Sequence, residues 1–141
     1  MIDPRLNAII DCLYRVASKA VIINGGKLLL VREEQGWYGL PGGGVAHGND
    51  LRESLVRETE EELGVALSLD QVAKEPFIVS TEGVVNGIPR TTLFYRVDLD
   101  HVVFDPSSVL RHTWVDKQDL AVTQLAPNIT VARDKLEALV S

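Results

Sequence analysis

A chain of 141 residues with a net charge of −6 is sequence enough for one ordinary domain, able to bury a core without disulfide or metal staples. The acidic balance argues against a protein that grips nucleic acid with a basic surface. A single cysteine, Cys12, rules out an intramolecular disulfide and a cysteine-based zinc site. No signal-peptide block and no apolar run of about 18 residues occurs, so no membrane partner is expected and the default compartment is cytoplasmic.

In chain order, Asp3-Pro4 reads as an N-cap followed by proline at the first helical position. Leu6, Ile9, Ile10 and Leu13 then keep helical spacing, which predicts a short N-terminal helical extension over residues 1–14. A single domain over 15–141 follows. Ala17 to Ile23 and Leu28 to Arg32 are apolar runs joined by Asn24-Gly25-Gly26-Lys27, a hairpin signal. After a glycine-rich loop, Asp50 and Glu53 predict a capping box for a helix from Leu51 to about Leu63, closed by Gly64. Val72 to Val85 and Ile88 to Leu99 predict a long hairpin around Asn86-Gly87. Arg111 to Val115 is a short strand, and Ile129 to Val140 a closing amphipathic helix with Val131, Leu136, Leu139 and Val140 apolar. Helices alternating with strands and hairpins predict an α/β fold, an α/β/α sandwich around a mixed sheet with an extra short N-terminal helix.

The chemistry is concentrated between residues 42 and 65. Gly42-Gly43-Gly44 is followed by Arg57-Glu58-Thr59-Glu60-Glu61-Glu62-Leu63-Gly64-Val65. Glu58, Glu61 and Glu62 stand at i, i+3 and i+4, so on a helix they project from one face. Clustered carboxylates repel unless a cation neutralises them, and oxygen-only ligands suit Mg²⁺ or Mn²⁺. At about 100° per residue, Glu62 falls at the margin of the apolar stripe beside Leu51 and Leu55, with Glu58 next to it. Glu61 lies further out and Glu60 points nearly opposite Glu62. A Glu-rich helix is ordinarily a solvated face, but six fixed positions at this spacing would match by chance only roughly once in 10⁷ to 10⁸ starts. Three glycines before a capped helix let backbone N–H and C=O groups approach a phosphate or a metal where a Cβ would obstruct. Arg32, ending the second strand, is a candidate for holding a phosphate. His47 and His112 read as surface and strand residues, and Trp114 as core.

The segment from Gly43 to Val65 resembles the signature of the Nudix hydrolases, MutT-like proteins whose box runs Gly, five residues, Glu, seven residues, then Arg-Glu-aliphatic-x-Glu-Glu-x-Gly-aliphatic. Gly36-Trp37-Tyr38-Gly39-Leu40-Pro41-Gly42-Gly43 is a typical lead-in, and the likeness extends more loosely from Ala17 to Leu120. It implies the same sandwich fold and cleavage of a nucleoside diphosphate derivative by water attack on phosphorus with divalent metal. Glu58 and Glu62 become metal ligands, Glu61 a ligand or water-orienting base, and Arg57 an orienting residue. The backbone of Gly42 and Gly43 becomes a further contact, Gly43 in the metal set, with Gly44 beside the substrate.

Three positions depart from the pattern. Asn49 stands where the box has its first Glu, Thr59 where it has an aliphatic residue, and Arg111 where a later Glu-x-x-Trp strand begins with Glu. The missing Glu ordinarily pairs with the arginine, and Glu53, four residues before Arg57, is the expected substitute. The reading is a metal-dependent hydrolase, with Mg²⁺ or Mn²⁺, acting on a nucleoside triphosphate or nucleotide sugar. The departures motivate a non-catalytic nucleotide-binding or sensor domain as the alternative. The expected partner is a small-molecule nucleotide. A homodimer is left open by the face the N-terminal helix could offer a second copy.

Overall fold

The computed structural model describes residues 4–8, 13–33, 36–81, 83–99 and 111–141. The expectations for Asp3, Ile9, Ile10 and Cys12 lie outside these residues. Pro4–Ala8 forms a 3-10 turn, and among the described residues eight strands form one sheet. These are β1 (Arg15–Asn24), β2 (Lys27–Arg32), β3 (Tyr38–Gly39), β4 (Gly42–Gly44), β5 (Ile78–Ser80), β6 (Val84–Val85), β7 (Ile88–Val97) and β8 (His112–Val115). The helices are α1 (Leu51–Leu63), α2 (Lys117–Val122), α3 (Pro127–Thr130) and α4 (Arg133–Glu137).

The long strand β1 organises the molecule. One of its edges pairs in parallel with β7, from Arg15 opposite Arg90 to Ile22 opposite Val97. The other edge is divided. Ala17, Ser18 and Lys19 pair with Gly44, Gly43 and Gly42 of β4, while Ile23 and Asn24 turn back through Gly25 and Gly26 to pair with β2. All ladders except β1–β7 are antiparallel, so the sheet is mixed.

Alternation along β1 sends side chains into two layers. Ala20 and Ile22 join Leu29, Val31, Tyr95, Leu55 and Leu63 beneath α1. Val21 joins Leu28, Leu30, Phe94, Leu120, Ile129 and Leu136 beneath the C-terminal helices. This is the α/β/α layering the sequence predicts.

Helix α1 has the predicted bounds. Asp50 caps it by accepting from the amides of Arg52 and Glu53, and Gly64 closes it with φ 64° and an N–H bond to the Glu60 carbonyl. Arg52 fastens its first turn to the following loop, donating to the carbonyls of Leu69, Val72 and Ala73. Three expectations need correction. The first arm of the predicted 72–99 hairpin survives only as β5 and β6, because Pro76 offers no amide and Gly83 sits at φ 102°. The Asn86-Gly87 turn itself stands, with φ of 53° and 78°. The closing helix is broken: three consecutive β-branched residues, Ile129 to Val131, disfavour a continuous helix, and the Ala132 amide bonds to the Ile129 carbonyl in a tightened turn. Val131 is accordingly exposed instead of belonging to the apolar stripe. Thirdly, the glycine-rich loop contains a strand, β4.

Candidate active site

The placement of α1 follows from its sequence. Leu55, Thr59 and Leu63 are buried against the sheet, and that rotation puts Glu58 and Glu62 at the edge of the interface, half-buried, with Glu60 and Glu61 exposed. Side-chain exposure is 25% for Glu58 and 63% for Glu61. Glu60 accepts from the Leu67 amide at 3.0 Å and so helps to close the turn after the helix.

Strand β4 is where the carboxylates meet backbone. The Gly42 amide donates to Glu62 Oε2 at 3.2 Å. A Cβ on Gly43 would sit 3.2 Å from the Glu58 carboxyl, and one on Gly42, whose φ is 127°, would sit 2.1 Å from the Ser18 carbonyl oxygen. Glycine is required at Gly42 by both its backbone angle and this contact. At Gly43 its absence of a side chain leaves a cradle in front of Glu58. Gly44 faces Arg15, whose Nη2 would be 3.8 Å from a Cβ there. Beyond Gly44 a cleft of about 880 Å³ opens, bordered by Tyr14, Arg15, His47, Asn49 and Ile88.

Burial pushes the Glu62 carboxyl up to about 7. Lys19 and the Gly42 N–H oppose that rise, while Glu58 and Glu33 add to it. Lys19, only 8% exposed, donates from Nζ to the Gly42 carbonyl at 3.2 Å. Burial pulls its pKa down, and Glu62, Glu33 and Glu58 push it back up. Arg90 is likewise lowered, by burial and then by the adjacent Arg15 charge, against Glu33. Glu33 also accepts from Trp37 Nε1 at 2.7 Å. Lys19, Glu33 and Arg90 were not singled out by the sequence reading. The available signal was a lysine within an otherwise apolar strand, in phase with Arg15 on the same face.

Residues 13–136 match the profile of the NUDIX domain, most of the chain's length. The chain belongs to the Nudix family. Among solved structures, it is 25% identical to the E. coli ORF135 protein, with a TM-score of 0.74 over 91% of each chain. A MutT Nudix hydrolase from Burkholderia pseudomallei is also 25% identical, with a TM-score of 0.65 over 92% of this chain and 99% of that one. An ADP-ribose pyrophosphatase from Streptococcus suis, 21% identical, shares the fold with a TM-score of 0.57 over 90% of this chain and 89% of that one. The protein is thus a Nudix-type pyrophosphohydrolase, and Nudix hydrolases generally use divalent metal ions and act on small nucleotides.

The Nudix box residues are gathered unequally. Glu58, Glu62, Gly42 and Gly43 converge. Arg57 is half-exposed and reaches Glu58 at 3.5 Å and Glu61 at 3.9 Å. The expected Glu53 partner is not used: among the described residues Arg57 has no ion pair with Glu53, whose amide is instead held by Asp50. The capping box is therefore half made. Asn49 is exposed, its amide bonded to the Ala46 carbonyl at 3.1 Å. Arg32 is exposed at the end of β2, and Arg111 just before β8 supplies a carbonyl to the Arg32 amide at 2.8 Å. Trp114 is only partly buried, packing against the α1-side core.

Among the described residues no three acidic, imidazole or thiol groups close into a ligand cage. Two carboxylates beside a carbonyl are nonetheless a donor set suited to Mg²⁺ or Mn²⁺, which takes one or two protein carboxylates and completes its shell with water and substrate phosphate. Glu62 fits that set by its place, half-buried beside Glu58 with its Oε2 on the Gly42 amide at 3.2 Å. Among the described residues no helix is long and apolar enough to cross a membrane.

Proposed function

We propose that the protein is a Mg²⁺- or Mn²⁺-dependent hydrolase that cleaves a pyrophosphate bond in a nucleoside diphosphate derivative, of the nucleoside triphosphate or nucleotide-sugar type. The observation that carries this reading is the delivery of half-buried Glu58 and Glu62 by α1 to the side-chain-free strand Gly42–Gly44. Glu58 and Glu62 hold the cation, with Glu61 as an outer ligand or water-orienting base and the Gly43 backbone beside them. When bound, the metal supplies neutralisation of phosphate charge and acidification of the attacking water.

The remaining work falls to the chain. Glu61, exposed at the end of the Arg57–Glu61 pair, accepts the water proton. Arg57 orients Glu58 and Glu61 through its two ion pairs. Gly42 and Gly44 let the phosphates lie close against the sheet, and Arg32 contacts the nucleotide from the strand end. The Gly42 amide donates to Glu62 Oε2 and so orients the carboxylate beside Glu58.

The test is phosphate and pyrophosphate release from a panel of nucleoside triphosphates, nucleotide sugars and dinucleotides, with Mg²⁺, with Mn²⁺ and with chelator, for wild type and Glu62→Gln. Metal-dependent release lost in Glu62→Gln is expected. Nucleotide binding without turnover on any substrate would instead favour the binding-domain alternative, and equal turnover in chelator would remove the metal reading.

A further inference from the structure

Lys19 is the only charged side chain buried among the described residues, and the residues around it do not resemble an ordinary core. It lies opposite Gly42 across the β1–β4 ladder, and that single glycine is bonded to both charges. Its carbonyl accepts from Lys19 Nζ and its amide donates to Glu62 Oε2, each at 3.2 Å. Glu62, Glu33 and Glu58 act on Lys19 in decreasing order, with Arg90 as the opposing charge. The ammonium thus sits on the carbonyl next to the Gly43 backbone, in the same converging field that a cation at the Glu58–Glu62 cradle would seek. The β1–β4 ladder holds the Gly42 peptide in register opposite Lys19, and its φ of 127° with no room for a Cβ reserves the position for glycine.

We infer that Lys19 is a built-in counter-ion of the metal-free cradle, which holds Glu62 and the Gly42 carbonyl in place and opposes binding of a divalent cation until substrate phosphates arrive. This rests on the metal reading above. Two positive groups drawn to the same carboxylates repel, and more strongly where one of them is as buried as Lys19. An incoming polyphosphate changes the balance, because its negative charge compensates Lys19 and the metal together. Lys19 is in this sense a positioning residue that makes metal affinity conditional on nucleotide.

The experiment is Mn²⁺ titration followed by electron paramagnetic resonance, with and without a methylene-bridged, non-hydrolysable nucleoside triphosphate, for wild type, Lys19→Met, Lys19→Arg and Glu62→Gln. Lys19→Met should tighten Mn²⁺ binding without nucleotide by at least about tenfold and shrink the gain in affinity that nucleotide brings. Lys19→Arg, which keeps the charge, should stay within about threefold of wild type. Thermal melts give a second readout: Lys19→Met should melt lower than wild type in chelator and gain more from Mn²⁺, even if it folds only with the metal. Unchanged or weaker Mn²⁺ binding in Lys19→Met, alongside lost binding in Glu62→Gln, would overturn the counter-ion role and leave the metal site standing. Unchanged Mn²⁺ binding in Glu62→Gln would overturn the metal reading and this inference together.

Discussion

Buried polar groups are treated differently on the two sides of the sheet. Under α2, α3 and α4 they are paired: Asn128 Nδ2 donates to Thr92 Oγ1 at 3.4 Å, and Arg133 closes the carbonyls of Leu120 and Thr123. The surrounding core is apolar, with Phe94, Leu28, Leu30, Ile129 and Leu136 fully buried. Under α1 the hydroxyls of Ser18, Ser54 and Thr59 are buried with no partner among the described residues. The same side holds Glu62 with its pKa pushed to about 7. An unsatisfied buried hydroxyl costs about 1–3 kcal/mol, so the helix that presents the carboxylates is packed less favourably than the helices that present nothing. Stability resides on one side and chemistry on the other, a division common where a site must hold charge ready for a ligand.

The comparison can be broken most forcefully on the apolar side. Phe94→Ala should lower the unfolding free energy by about 3–5 kcal/mol, as cavity formation in a sealed core does, while the surviving folded fraction keeps the wild-type kcat. Denaturant melts and active-site titration measure the two quantities, and a large loss of kcat per folded molecule would show that the sides are not separable.

On the α1 side the expectation is reversed. Glu62→Gln and Glu58→Gln should each reduce kcat at least ~10²-fold, about 2.7 kcal/mol of transition-state stabilisation, with the fold intact by circular dichroism. Glu60→Gln should stay near wild type in kcat, and equal losses at all three positions would refute the facial argument. A pH dependence sharpens this. Because the folded-state pKa of Glu62 is raised, from 4.5 to about 7, its contribution favours the native state at low pH and is lost as pH rises through about 7. Metal-free wild type should therefore lose ground to Glu62→Gln between pH 4.5 and 7, and added Mg²⁺ should restore it. Parallel stability curves for the two proteins across that range would deny the buried carboxylate its role.

Smaller effects come from the two box departures. Thr59→Val keeps the shape, removes an orphan hydroxyl from a fully buried position and should stabilise by about 1–2 kcal/mol without altering kcat. A destabilised variant would mean that the hydroxyl has a partner such as bound water. Asn49→Glu should raise kcat/KM by no more than about tenfold, ~1.4 kcal/mol, because Arg57 already engages Glu58 and Glu61. Glu53→Gln, which removes no ion pair of Arg57, should be additive with it in a double-mutant cycle.

Helix α1, its caps and the rotation that half-buries Glu58 and Glu62 were legible in the sequence, because a 3.6-residue period, an Asp and a Gly specify them locally. The first hairpin was legible for the same kind of reason. Strand β4 was not, since three glycines carry no strand signal and pair with β1 only because β1 is there to receive them. The break in the closing helix lay within reach, in the run Ile129-Thr130-Val131, but the apolar spacing of Leu136, Leu139 and Val140 masked it. Substituting Glu53 for the missing box carboxylate failed because spacing fixes which side chains are near, whereas Asp50 and the Arg57–Glu58–Glu61 pairs decided which of them engage. Lys19 was invisible as a site residue because its meaning depends on Gly42, which lies on a strand pairing that no local pattern announces.

The parallel ladder between β1 and β7 has a consequence for how the protein is assembled. Arg15 to Ile22 find their partners only in Arg90 to Val97, more than half the chain away, whereas β1–β2, β4 and α1 can associate as soon as residue 64 is made. A hairpin and its capped helix thus come together early around the carboxylates, and the strand that backs them is sealed last, by the slow closure of a long loop. A ribosome-tethered chain that stops short of Arg90 should accordingly hold α1 loosely, and amides of β1 should gain exchange protection only once β7 has emerged.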